Sequence, residues 1–311
     1  MKFRTLSLIA VLFLLAACSK DVKTDNENMS RVSFEISLSA SESSRALTYP
    51  DGDAAQVDNW VVEVRDVLNP NVIFYREVKA GNRGVKVQKF DLSLVKNHTY
   101  DIAFWADKAG CWKTDNLSAV ELKELTLGNL DDYDAFSACV RHTVQEDKTI
   151  SARLYRPLSQ INIMTTDLPL LKASSTAEAY AQYAPTSFHL GLTAPTKYNV
   201  YTEAASEEQS VEITPVALVD KCYGDYSEAL NPTTLFMAYV LSNKYDTQEG
   251  KDVRELNFKF SSANVGIEYD FQNIPLRRNW RTNIIGRFMT NSLEWNVEII
   301  PAWSGEENVE K

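Results

Sequence analysis

An all-β chain of two β-sandwiches in tandem is the fold that this sequence predicts, and three observations predict it. Apolar and polar residues alternate with a period of two along many short runs, as they do on strands buried on one face. The runs stop at Gly, Pro, Asn or Asp, residues that turn a chain for separate steric reasons. Apolar spacing of the helical kind is scarce.

From Val32 the first run sets Val32, Phe34, Ile36 and Leu38 against Ser33, Glu35, Ser37 and Ser39. Trp60, Val62 and Val64 then alternate with Val61, Glu63 and Arg65, and Tyr100, Ile102 and Phe104 with Asp101 and Ala103. Between them Val85 and Val87 hold one phase, whereas Phe90, Leu92 and Leu94 hold the other. A continuous strand there calls for a bulge near Gln88 and Lys89, and two separate short strands satisfy the pattern equally. Ile150, Ala152 and Leu154 close the first half, and Arg156-Pro157 makes a boundary because proline lacks the donor that a ladder needs. The rhythm resumes at Ile161 and Ile163, Phe188 to Leu192, Leu256 to Phe260, Val265 to Phe271 and Trp295 to Ile299. Leu235 to Leu241 is nearly all apolar, which predicts a central strand buried on both faces. Asn116 is placed to cap a short turn, and Ala173 to Tyr183 is alanine-rich without an apolar stripe. Both read as loop decorations.

The chain's start has a different character. Lys2 and Arg4 precede an apolar run from Leu6 to Leu15, too short for a permanent span of about 20 residues. Leu15-Ala16-Ala17-Cys18 behind it resembles the processing site of a bacterial lipoprotein. That resemblance implies cleavage before Cys18 and acyl chains on Cys18 that hold the body on a membrane. An ordinary secretory signal with an incidental cysteine is the plainer alternative. The expected organisation is a leader at 1–17, a polar tether at 18–30, and sandwiches at 31–156 and 157–311. About 290 residues follow the leader, enough for two domains with a core each.

A formal charge of -10 and a pI near 5.0 argue against nucleic acid and anionic membrane surfaces as partners. Beyond Cys18 stand Cys111, Cys139 and Cys222, with no CxxC spacing. One disulfide, Cys111 to Cys139, and three buried thiols are both open to them. His98, His142 and His189 lie in no HxxxH or HExxH context, and Ser43-Ser44 lacks the glycines of a nucleophile elbow. Asp131-Asp132-Tyr133-Asp134 gathers carboxylates but lacks the glycine and distal glutamate of a calcium loop. No metal, cofactor or catalytic constellation is indicated. Among six tryptophans, Trp60 and Trp295 sit in phase with core residues, whereas Trp112 is off the strand period. Trp112 and Tyr133 are therefore the candidates for a sugar-stacking surface.

Five segments stand out in order. Ser43-Ser44-Arg45-Ala46-Leu47-Thr48-Tyr49-Pro50-Asp51-Gly52 follows the first strand. Tyr100-Asp101-Ile102-Ala103-Phe104-Trp105-Ala106-Asp107, Asp134-Ala135-Phe136, Arg156-Pro157-Leu158-Ser159-Gln160-Ile161-Asn162 and Asn279-Trp280-Arg281-Thr282-Asn283-Ile284-Ile285-Gly286 come after it. Behind a lipobox, these segments resemble the fimbrillin-like surface lipoproteins of Bacteroidales over most of the mature chain. Tyr100 to Asp107 and Arg156-Pro157 look most like a domain of unassigned function within that group. The resemblance implies paired transthyretin-like, Greek-key β-sandwiches, a non-enzymatic role in fimbrial assembly or adhesion, and an outer-membrane, cell-surface location.

It also implies a mechanism. In major subunits of this kind an arginine-specific protease cuts after an arginine beyond the first strand, and Arg45-Ala46 matches that position here. The strand removed would carry Val32, Phe34, Ile36 and Leu38, leaving a groove that a strand from another fimbrial subunit refills. Leu293 to Trp303 reads either as such a donor or as the last strand of its own sheet. The implied partners are other fimbrial subunits, the membrane through acyl chains on Cys18, and a host or glycan ligand. A glycan-binding outer-membrane lipoprotein is the alternative.

Overall fold

The computed structural model describes residues 28–39, 53–127, 130–182, 189–213, 233–243, 254–263, 266–289 and 295–300. Ten strands come first: β1 (Met29–Leu38), β2 (Asn59–Asp66), β3 (Ile73–Ala80), β4 (Val87–Val95), β5 (Thr99–Asp107), β6 (Trp112–Lys113), β7 (Val120–Leu122), β8 (Thr126–Leu127), β9 (Ala135–Thr143) and β10 (Lys148–Leu154). After them come β11 (Leu158–Thr165), helices α1 (Leu168–Ser174) and α2 (Ala177–Ala181), and strands β12 (His189–Asn199), β13 (Ala204–Ile213), β14 (Thr233–Leu241), β15 (Arg254–Ser262), β16 (Ile267–Leu276), β17 (Arg281–Gly286) and β18 (Trp295–Ile300). The fold is all-β, as the alternation predicts. The alanine-rich stretch read as loop instead contributes to two short helices, α1 with a proline in its first turn.

Two sandwiches result. In the first, the sheet β10-β1-β4 faces the sheet β3-β2-β5-β9, and one apolar cluster joins them through Phe34, Phe90, Trp60, Ile102 and Phe104. In the second, β14-β11-β17-β18 faces a larger sheet ordered β16-β15-β12-β13-β8. Ile161, Ile163, Phe236, Phe260 and Ile284 share its core. Gly81 stands where a Cβ would lie 2.7 Å from the Trp60 indole nitrogen, so backbone alone fits against that ring.

The sandwiches share more than a linker. Residues 112–127 precede Arg156-Pro157, yet β7 pairs with β12 and β8 with β13 in the second sandwich. Val61, Ala103 and Trp105, on the outer face of the β2-β5 sheet, belong to the second apolar cluster. Alternation along β2 therefore feeds two cores, Trp60, Val62 and Val64 entering one and Val61 the other. Glu63 on that face is fully buried. It accepts from Arg65 Nη2 (2.8 Å), the Leu117 N–H (3.0 Å) and the Tyr201 hydroxyl (3.1 Å). The Arg65 guanidinium lies 4.6 Å from the Tyr201 ring centroid. Burial first, then the Glu63 charge, pushes the Tyr201 hydroxyl up from its ordinary value.

Two expectations need correction. No bulge interrupts β4, whose pairing with β1 runs unbroken from Val87 opposite Ser37 to Val95 opposite Met29. Val85 and Val87 simply face water, 43% and 59% exposed, so the change of phase is a change of face. Leu235 to Leu241 lies in β14, at the edge of its sheet rather than its centre. All nine positions of β14 are nevertheless buried, because the strand packs against β12 and the 3-10 turn Leu130–Tyr133. The central strand is β11, buried at all eight positions.

Asp107 ends β5 in a dry position. Burial, opposed by the Asn59 amide that donates to Oδ1 at 2.6 Å, pushes its carboxyl from 3.8 up to about 7. Between those values the folded chain keeps a proton that the unfolded chain has released. Stability therefore falls as pH rises across that window and levels off above it, the whole effect being on the order of 4 kcal/mol. Asp107→Asn should raise the urea midpoint at pH 8 and flatten its pH dependence between pH 5 and 7, measured by intrinsic tryptophan fluorescence.

Candidate assembly site around the first strand

β1 is the middle strand of its sheet, parallel to β10 and antiparallel to β4. Its period-two pattern puts Val32, Phe34 and Ile36 at 0% exposure and Leu38 at 6%. The Phe34 ring lies 5.2 Å from Phe104, which also meets Phe90 at 6.1 Å. Burying four such side chains contributes on the order of 6–12 kcal/mol, comparable with the net stability of a domain.

Both ends of the strand are fixed. At the start, the Lys96 N–H donates to the Asn28 carbonyl (2.8 Å) and the Arg31 N–H to Asp147 Oδ1 (2.8 Å). The Ser33 hydroxyl donates to Asp91 Oδ1 (2.5 Å) and Arg31 Nη2 lies 3.0 Å from Asp91 Oδ2. The Ser33 hydroxyl, then Arg31, holds the Asp91 carboxyl below the usual carboxylate range. At the far end, the Leu38 N–H donates to the Lys86 carbonyl and the Ser39 N–H to the Leu154 carbonyl, both at 2.9 Å. Arg156 Nη1 donates to the Ser39 carbonyl (3.4 Å).

Arg156 is the centre of that far end. It is fully buried, its Nε and Nη2 donate to the two oxygens of Asp134 at 2.7 and 2.9 Å, and its carbon Cζ lies 4.4 Å from the Phe136 centroid. Its own carbonyl accepts from Arg278 Nε (3.0 Å), and Arg278 Nη1 reaches Glu203 at 2.8 Å. Asp134-Ala135-Phe136 and Arg156-Pro157, two of the segments singled out in the sequence, thus meet. The continuation of the Arg156-Pro157 segment meets a third, Asn279 to Gly286, in the second sandwich, where β11 runs parallel to β17. There Arg281 donates to Gln160 Oε1 (2.5 Å) and Asn162 to Asn283 (2.8 Å).

The other sequence candidates fall elsewhere. Cys18, Arg45 and Ala46 lie outside the described residues. Cys111 and Cys139 are two separate thiols, not a disulfide. Cys139 stands opposite Ala103, four residues and about 14 Å along β5 from Asp107, whereas Cys111 sits in the turn beyond that end. Burial pushes the Cys111 thiol up to about 11. Trp112 is 3% exposed and edge-on to Trp105 at 5.5 Å, and Tyr133 is 8% exposed, so neither offers a face to a sugar. The acidic run is equally committed, Asp132 to Lys108 and Asp134 to Arg156. His98 pairs with Asp66 at 2.6 Å and His189 with Glu212 at 3.6 Å. Among the described residues no three His, Cys, Asp or Glu side chains gather as a metal site. β18 pairs antiparallel with β17, as the last strand of its own sheet.

The sequence pattern of a family of unknown function, DUF6562, matches residues 23–311. The chain belongs to that family. No curated protein matches it in sequence. Among solved structures, a candidate adhesin from Bacteroides thetaiotaomicron superposes with a TM-score of 0.52 at 11% identity, covering 88% of this chain and 96% of that one. A candidate polysaccharide-binding protein (DUF1812) from the same organism gives 0.51 at 11% identity, covering 82% and 90%. The fimbrial anchor protein Mfa2 from Porphyromonas gingivalis gives 0.48 at 13% identity, covering 86% and 97%. The first two likenesses establish a shared fold for this DUF6562 member.

Two stability predictions follow from the strand and its latch. Phe34→Ala should cost about 3–5 kcal/mol in urea unfolding, from lost burial and the cavity left beside Phe104. Arg156→Met should cost a similar amount by stranding the Asp134 charge, and Arg156→Met with Asp134→Leu should recover much of it.

Proposed function

We propose that this protein is a non-enzymatic, lipid-anchored subunit or accessory protein of a surface fimbria, assembled by exchange of its first strand. The placement of β1 carries the reading. It lies between two strands and fills the core with alternate side chains. Its loss would leave unpaired backbone on both flanks and four empty pockets, which an extended segment of another subunit can occupy. Arg45-Ala46 follows β1 closely enough for one cut to release strand and tether together. The two sandwiches, 31–156 and 157–311 apart from β7 and β8, which join the second, would then act as one assembly unit, tied where Tyr201 meets Glu63 and Arg278 meets the Arg156 carbonyl.

Lipid attachment is proposed at Cys18, on its lipobox context, and places the protein at the outer membrane and cell surface. Among the described residues no helix is long and apolar enough to cross a membrane. The glycan-binding alternative loses the stacking residues on which it rested, Trp112 and Tyr133 being buried.

N-terminal sequencing and mass spectrometry of protein sheared from cells, and of protein left on them, test the reading. Polymers that start at Ala46, and that vanish in Arg45→Ala, are the expected outcome. Acylated Cys18 alone, with no polymer from either chain, would remove strand exchange and leave an anchored accessory protein.

A further inference from the structure

The β2–β3 hairpin carries apolar side chains that the fold leaves largely in water. Leu68 is 80% exposed, Val72 63%, Phe74 45% and Ile73 39%, four of the eight large hydrophobic side chains exposed among the described residues, and the Phe74 ring rests 5.1 Å from Tyr100. One exposed leucine is ordinary, but a cluster on a single turn is not. The turn is braced: Leu68 N–H donates to Asp66 Oδ1 (2.8 Å), Val72 N–H to the Asn69 carbonyl (3.1 Å), and Arg65 Nη1 to the Pro70 carbonyl (3.0 Å). Strand addition at β3 is a poor way to cover it. The β2–β3 register breaks between Val64 and Arg65, and an irregular edge opposes pairing with another chain.

Strand pairing fixes which end of the sandwich this is. Met29 lies opposite Val95, β4 turns into β5, and Tyr100 lies opposite Asp66. The hairpin tip and Asn28, where the chain enters β1, therefore share one end. Ten residues separate Asn28 from Cys18, and ten extended residues span at most about 35 Å.

We propose that the β2–β3 hairpin tip is a membrane-docking element, with Leu68 and Val72 entering the interfacial layer of the bilayer to which Cys18 tethers the chain. This rests on acylation of Cys18 and adds the face that the anchored protein turns to the lipid. The contact is apolar rather than ionic. The chain is acidic, and at that end the cations Arg31, Lys96 and Lys148 stand among the carboxylates Asp91, Glu146 and Asp147, a mixed rather than a cationic surface for anionic headgroups. Before cleavage the tip would fix the orientation of the sandwich on the membrane, and strand removal would release tether and docking together.

The test supplies the tether artificially. The mature chain, with hexahistidine in place of Cys18, is captured on phosphatidylcholine vesicles carrying a nickel-chelating lipid, and amide exchange is followed by mass spectrometry. Capture should slow exchange at residues 67–74 by about threefold or more and leave residues 82–88, at the far end of the sandwich, unchanged. Leu68→Asp with Val72→Asp should be captured equally and lose the slowing, and Leu68→Asn alone should lose part of it without risk to folding. Unchanged exchange at 67–74 in the captured native chain overturns the proposal. So does equal slowing in free chain at the same concentration, which would mark a contact between copies. Neither result bears on whether cells acylate Cys18, which mass spectrometry reads separately.

Discussion

A buried guanidinium holds this molecule together at its most demanding point. Arg156 gives two hydrogen bonds to Asp134, a third to the carbonyl that ends the first strand, and its cationic face to Phe136. A charge so placed is tolerable only because each neighbour answers it, and loss of one partner leaves the other stranded in a dry interior. The backbone of the same residue accepts from Arg278 of the second sandwich. One residue thus links the seat of the first strand, through its side chain, to the junction between the sandwiches, through its carbonyl.

The two sandwiches repeat one scheme around their leading strands. β1 lies between antiparallel β4 and parallel β10, and β11 lies between antiparallel β14 and parallel β17. A leading strand in the middle of a sheet brings two late strands together across it. The difference lies at the margin, where β18 extends the second sheet beyond β17 while β10 ends the first. The first sandwich is the smaller of the two.

Alternation made most strands legible, because each apolar face packs on a core and the period of two survives that packing. It failed where both faces are buried. Along β2 the set Val61, Glu63 and Arg65 looks like a polar outer face, yet Val61 enters a second core and Glu63 is sealed by Leu117 and Tyr201. Nothing local in the sequence says that another sandwich will cover it. Trp112 was misleading for the same reason, since it packs on Trp105 inside a core that the strands of the second sandwich complete. The first-strand site was readable from Val32 to Leu38, but its latch was visible only as a motif. Asp134 and Arg156 lie 22 residues apart, and their pairing is a product of the fold.

The parallel pairing of β1 with β10 has a temporal consequence. Facing residues on the two strands are separated by about as much chain as Arg31 is from Asp147, 116 residues, so the contact is among the most non-local in the first half. A chain made at about 5–20 residues per second presents β1 roughly 6–23 seconds before its parallel neighbour exists. Its antiparallel partner β4 follows only about 58 residues later, so β1 gains one neighbour early, and β10 is the strand that completes the sheet last. The seam between β1 and β10 is thus the part of the first sandwich that closes the longest stretch of chain, and one flank of β1 stays open until that late strand arrives.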